Sequence, residues 1–71
     1  MTIREIRIEK GMTQEDVAKK LFVSPVTVHQ WERGKNFPRL TKLPKIAQVL
    51  GISVGEAMDA FRETVEKHGQ R

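Results

Sequence analysis

The stretch SPVTVHQWERG, residues 24–34, decides how the rest of the chain is read. It opens as a helix does: Ser24 is a side chain that accepts hydrogen bonds from backbone N–H groups, and Pro25 suits the first helical position. It closes as a helix does, with Gly34 available for a left-handed cap. On a helical wheel that advances about 100° per residue, Val28 and Trp31 fall close together and define a buried side. Val26, Gln30 and Arg33 fall on the opposite side, with His29 on one flank and Pro25 at the tip. A short helix that turns an amide, a guanidinium, an imidazole and an apolar tip away from the core is presented to something.

Working outward, helical spacing of apolar residues continues in both directions and strand-like alternation is nearly absent. Five helices are expected. The first covers about 2–10, with Ile3 and Ile6 inward and Gly11 ending it. The second starts at a Thr13 cap and runs to about Leu21, with Val17, Ala18 and Leu21 on one face and acids in its first turn, where the helix dipole favours them. The third is about 25–33. The fourth covers about 41–50 through Leu43, Ile46, Ala47 and Leu50, and tolerates Pro44 because a first-turn N–H has no helical partner. The fifth opens with the capping box Ser53–Glu56 and is expected to bury Val54, Ala57, Met58 and Phe61, with Val65 at the margin of that stripe. Only Phe22, Val23 and Ser24 separate helices two and three, which is helix-turn-helix spacing over about 13–33. The expectation is one all-α domain over 1–67, with residues 68–71 a frayed tail.

The chain has 71 residues, 38% of them hydrophobic, and no cysteine, so disulfides and thiolate chemistry are excluded and a reducing compartment fits. A core of this size supplies only roughly 3–5 kcal/mol of net stability. No apolar run reaches the ~20 residues of a membrane span and no signal-peptide core is visible, which points to a cytoplasmic location. The formal charge of +4 is uneven: residues 1–52 hold ten basic against five acidic side chains, and residues 53–71 three against four. Arg33, Lys35, Arg39, Lys42 and Lys45 fall within 33–45 with no acid among them. Beside an outward-facing helix, that run favours a polyanion such as double-stranded DNA over a merely solvated loop. In the major groove a glutamine amide suits adenine, arginine suits guanine, and an apolar group suits the thymine methyl.

Other chemistry is weakly represented. Trp31 reads as core rather than as a stacking platform, because it shares a side with Val28. His29 has only His68 as a second histidine, so groove contact or plain exposure outweighs catalysis or metal binding. Glu5, Glu9, Glu15 and Asp16 read as charged helix faces, and Met58 with Phe61 as core or dimer surface rather than a ligand pocket. With no glycine-rich phosphate loop and no nucleophile–base pair, neither an enzyme nor a bound cofactor or metal is expected.

From Ile3 to about Ala60 the chain resembles the helix-turn-helix family of phage Cro and repressor proteins, also called the xenobiotic-response-element family. The strings that carry the resemblance are IREIRIEKGMTQEDVAKKL, VSPVTVHQWERGKNFP and LPKIAQVLGISVGEAM, in that order and spacing. The resemblance implies a compact five-helix bundle that binds operator DNA. It implies base-facing positions at Pro25, Val26, His29 and Gln30, and backbone contacts from Gln14, Thr27, Arg33, Lys35 and Asn36. It also implies a structural ion pair between Arg7 and Glu32. Two positions depart from the pattern. Phe22 stands where the tight turn often carries glycine, and a bulky residue there is strained if φ is positive. Pro25 and Val26 offer no hydrogen bond where many relatives carry Gln, Arg or Ser.

These features point to a transcriptional regulator, a repressor acting by occupancy of a near-palindromic operator. The expected form is a homodimer, weak off DNA, assembled through helix five and the segment before it. Val49, Ile52, Ala60 and Val65 are its expected spare apolar surface. The alternative is an antitoxin-like module that binds a partner protein and regulates its own promoter. The cation run disfavours a fold that has lost DNA binding.

Overall fold

The computed structural model describes residues 1–68 and contains five α-helices: α1 (Ile3–Glu9), α2 (Gln14–Leu21), α3 (Pro25–Glu32), α4 (Leu43–Leu50) and α5 (Val54–His68). A 3-10 turn, Leu40–Lys42, leads into α4, so the α-helix proper starts two residues later than expected and Pro44 occupies its second position. The helix α5 reaches His68, so the first residue of the expected tail is helical; residues 69–71 lie outside the described part of the chain. No described helix is long and apolar enough to cross a membrane.

Local chemistry sets the helix starts. Thr2 with Glu5, Thr13 with Asp16 and Ser53 with Glu56 each form a reciprocal capping box, while Ser24 caps α3 ahead of Pro25. The backbone N–H of Thr2 donates to Glu5 and that of Thr13 to Asp16, which holds both carboxyls below their ordinary range.

The helix ends are equally uniform. After α1, α2, α3 and α4 the chain folds back in the same paired hydrogen-bond pattern around one left-handed residue. Three of those residues are Gly11, Gly34 and Gly51; the fourth is Phe22, at φ 58° and ψ 42°. Phe22 is also 91% exposed, so no packing offsets its backbone strain. The left-handed residue is what reverses the chain between α2 and α3 within three residues, so the turn is kept despite the wrong side chain.

Ile3, Ile6, Val17, Ala18, Leu21, Val28, Trp31, Leu43, Ile46, Leu50, Ala60 and Phe61 form the core. Phe61 is its centre: Trp31 meets its ring in an edge-to-face arrangement at 5.9 Å and Phe37 does so at 5.3 Å. Such edge-to-face pairs add about 0.5–1.5 kcal/mol each beyond area burial. Phe37 thereby pins the loop after α3 to α5, a contact that loop composition does not announce.

Helix α5 corrects the expected burial. Its inward residues are Ala57, Ala60, Phe61 and Thr64, whereas Val54, Met58 and Val65 remain 40%, 46% and 40% exposed. Ala60, expected to be spare surface, is in the core, and Val49 and Ile52 pack against it half-buried. Thr64 accounts for the rotation. Its hydroxyl accepts the N–H of Ile3 at 3.0 Å and donates to the carbonyl of Ala60 at 2.7 Å, so α5 turns a fully satisfied threonine inward to hold the start of α1. Two alanines beside it permit close helix approach, and the larger aliphatics roll outward.

Replacing Phe22 with glycine relieves the left-handed strain and removes an exposed ring. The left-handed region costs an ordinary residue about 1–2 kcal/mol. Phe22→Gly should therefore raise the thermal midpoint, by about 4–8 °C for each kcal/mol in a domain of this size. Thermal denaturation followed by circular dichroism checks this; an unchanged or lowered midpoint would show that the phenylalanine is held by contacts other than those seen.

Candidate nucleic-acid interface

Helix α3 buries Val28, Trp31 and Glu32 and turns Pro25, Val26 and His29 to solvent, with Thr27 and Gln30 half-buried beside them. Val26 is 62% exposed, at the tip of the helix. Arg33 follows the last turn and is exposed; Gly34 then reverses the chain, with its N–H bonding the carbonyl of Trp31 and that of Lys35 bonding the carbonyl of Gln30. This closure delivers Lys35 and Asn36 to the edge of the α3 surface. The Asn36 amide donates to Oε1 of Gln30, so a residue expected at the DNA backbone is tied to one expected at a base. Gln30 keeps its own NH2 group and the second lone pair of its carbonyl for other partners.

Behind this surface lies the charged centre of the molecule. Glu32 is 3% exposed, yet its carboxylate accepts three hydrogen bonds. Arg7 reaches it with two nitrogens, Nε to Oε2 and Nη2 to Oε1 at 3.1 Å, and sends Nη1 to the carbonyl of Met12 at 2.8 Å. Gln14 adds a third donor, Nε2 to Oε1 at 3.0 Å, and the same amide nitrogen lies 3.4 Å from Nδ1 of His29. One carboxylate thus gathers α1, the turn after it, the start of α2 and the end of α3. No buried side-chain nitrogen or oxygen among the described residues lacks a partner. Gln14, placed by resemblance at the DNA backbone, and His29, placed at the bases, are neighbours.

The remaining candidates are distributed along this surface rather than converging on a pocket. Thr27 lies one turn from the α3 cap, its hydroxyl 3.4 Å from that of Ser24. Among the described residues no three His, Cys, Asp or Glu side chains gather as a metal site requires. A cleft between α1 and α5 is bordered by Glu9, Glu56, Asp59 and Glu63 against Lys10 and the Met1 amine, so acids outnumber cations there. Sequence reasoning missed the contacts of Gln14 and Asn36, because amide hydrogen bonds across 15 to 18 positions, or across a reversed loop, leave no periodic signal.

Removing either partner of the Arg7–Glu32 pair strands a charge in the core. The cost of breaking a buried pair is about 3–5 kcal/mol, close to the whole stability expected of a domain this size. Arg7→Ala and Glu32→Ala should each largely unfold the chain at room temperature. The double replacement Arg7→Met with Glu32→Leu should be far less damaging than either single change, since no lone charge remains. Urea denaturation of the three variants checks this; additive single effects would show that the pair is solvated rather than buried.

A family model described as helix-turn-helix matches residues 3–56, the whole span from α1 into the first turn of α5. A transcriptional activator of Enterococcus faecalis, BcrR, is 30% identical over 56 residues, covering 79% of this chain and 28% of that protein. The cryptic phage CTXphi transcriptional repressor RstR of Vibrio cholerae is 28% identical over 65 residues, covering 92% of this chain and 59% of that protein. An uncharacterized helix-turn-helix-type transcriptional regulator of Archaeoglobus fulgidus is 44% identical over 52 residues, covering 73% of this chain and 74% of that protein. No solved structure matches the chain. The chain spans between about a quarter and three fifths of the length of the first two relatives. With α2 and α3 joined by the tight turn at Phe22 inside the matched span, the chain belongs to the helix-turn-helix family of Cro and repressor type.

Proposed function

We infer that the chain is a sequence-specific DNA-binding transcription regulator that acts as a repressor by occupying an operator. The observation that carries this reading is the outward face of α3. It offers Pro25, Val26, His29 and Gln30 for base edges, and is followed directly by Arg33, Lys35, Arg39, Lys42 and Lys45 with no acid among them. Helix family and charge agree: the family places this helix in the major groove, and the cation run supplies the phosphate contacts. Thr27, Arg33, Lys35 and Asn36 hold the backbone. Gln14 meets a phosphate through the backbone N–H at the first position of α2, which has no partner within the helix. Repression rather than activation is favoured by the similarity to the phage repressor, which extends over more of this chain than the similarity to the activator does. Occupancy requires no further surface.

Binding should fall steeply with salt, about −0.9 in the slope of log K against log salt for each phosphate neutralised. Lys35→Ala should weaken every duplex alike and make that slope shallower. Gln30→Ala should instead flatten the preference at one base pair, a discrimination of about 1–3 kcal/mol. Selection of duplexes from a random pool, followed by affinity measurement at several salt concentrations, checks both. The assignment fails if Lys35→Ala changes the preferred sequence while Gln30→Ala lowers affinity uniformly.

The operator complex is a two-fold dimer. A single module buries only about 600–1,000 Å² against DNA, and a second copy one helical turn away doubles the contact. Val54, Met58 and Val65 are exposed on α5, within about 40° of one another on the helical wheel, and form the apolar seam of this dimer. Val65→Glu should leave the fold intact and abolish binding to a palindromic site at concentrations where the parent protein binds. Stoichiometry by mass measurement of the DNA complex decides it; one protein on an asymmetric site, with Val65→Glu binding normally, overturns the dimer.

A further inference from the structure

We propose that Gln14 fixes the tautomer of His29, so that the recognition helix presents a single hydrogen-bond donor, Nε2–H, to the acceptor nitrogen N7 of a purine. This rests on the DNA-reading function above and adds a positioning residue and a base-edge chemistry to it.

The chain of contacts starts at the buried carboxylate. Glu32 accepts two hydrogen bonds from the Arg7 guanidinium, so it is an ionised acceptor with no hydrogen to give. The Gln14 group facing it across 3.0 Å must therefore be the NH2, because a carbonyl oxygen there would oppose a carboxylate oxygen with no proton between them. That settles the amide orientation by chemistry. The second hydrogen of the same NH2 is the one available to His29 Nδ1 at 3.4 Å. A nitrogen facing a donor must offer its lone pair, so the proton of the neutral imidazole sits on the other nitrogen, Nε2. His29 is exposed on the outer flank of α3, and its distal Nε2 is the atom that reaches away from Gln14.

The consequence is directional. An unrestrained neutral histidine can donate or accept by exchanging tautomers or turning its ring, and so distinguishes bases poorly. A histidine held at Nδ1 only donates. In the major groove the partners for one donor are the acceptors N7 of both purines, O6 of guanine and O4 of thymine; N7 is the one that both purines share, and the amino groups of cytosine and adenine are excluded. The ion pair between Arg7 and Glu32 thereby reaches the bases through two further side chains, without touching DNA.

The experiment has two arms. Long-range proton–nitrogen correlation spectra of the whole free protein at alkaline pH report which ring nitrogen carries the proton, with His68 as the reference. His29 should show a protonated Nε2 and an Nδ1 shifted by accepting a hydrogen bond, and Gln14→Leu should return Nδ1 to the His68 pattern. A proton on Nδ1, or a His29 signal indifferent to Gln14→Leu, overturns the proposal whether or not the protein binds DNA. In the second arm, single purines of the selected duplex are replaced by 7-deaza analogues. One replacement should weaken the parent protein about three- to tenfold, as the loss of one hydrogen bond does. The same replacement should leave His29→Ala unchanged. If every 7-deaza replacement affects the two proteins equally, His29 does not read N7 and the proposal falls, while binding to the unmodified duplex leaves the regulator reading in place.

Discussion

The carboxylate of Glu32 is the constraint on which the arrangement of the first three helices depends. An ionised group buried this deeply is costly unless it is paired and hydrogen-bonded, and the arrangements that achieve this are few. Arg7 must come from α1 with its guanidinium flat against the carboxylate, and the spare nitrogen of that guanidinium then captures the carbonyl of Met12. Gln14 must come from the first turn of α2. Apolar contacts alone would let these helices slide by a fraction of a turn at small cost. The bidentate geometry does not, and it lies one side chain behind the outward face of α3. The rigidity of that face is therefore a property of the core.

A second set of restraints works at the helix ends. Three capping boxes and four left-handed reversals make almost every helix boundary a local hydrogen-bond decision. Short helices are marginal in isolation, since nucleation is unfavourable and each has only two or three turns over which to recover it. Firm ends compensate, and they also set the lengths of the connections, so that the α2–α3 turn is closed with a phenylalanine in a glycine conformation rather than lengthened. The one long element, α5, is placed differently. Thr64 and two alanines draw it against α1, and Phe61 gathers Trp31 and Phe37. The core is thereby closed by α5, and an apolar edge of that helix is left in solvent.

Much of this was legible along the chain, for identifiable reasons. The spacing of Val17, Ala18 and Leu21, and of Leu43, Ile46, Ala47 and Leu50, reports burial faithfully because those helices face one large core. The same spacing rule misplaces Val54, Met58 and Ala60. A hydrophobic stripe gives the face with the most apolar side chain, whereas α5 packs through small residues and a threonine whose polarity is satisfied at both ends. Phe37, in a stretch that reads as loop, is pinned by an aromatic partner on a helix far along the chain.

The sequence by itself determined the helices, the caps at Thr13, Ser24 and Ser53, the outward set on α3 and the cation run beside it. These depend on neighbours within four positions, or on the sum of charge, and need no knowledge of which helix meets which. Only the tertiary structure decided how the polar side chains pair. Gln14 looks like an exposed glutamine at a helix start until Glu32 and His29 are brought to it from another helix. Gln30 and Asn36 meet only because the chain reverses at Gly34. Hydrogen bonding is directional and short-ranged, so its partners become definite only when the backbone has already fixed where each side chain begins.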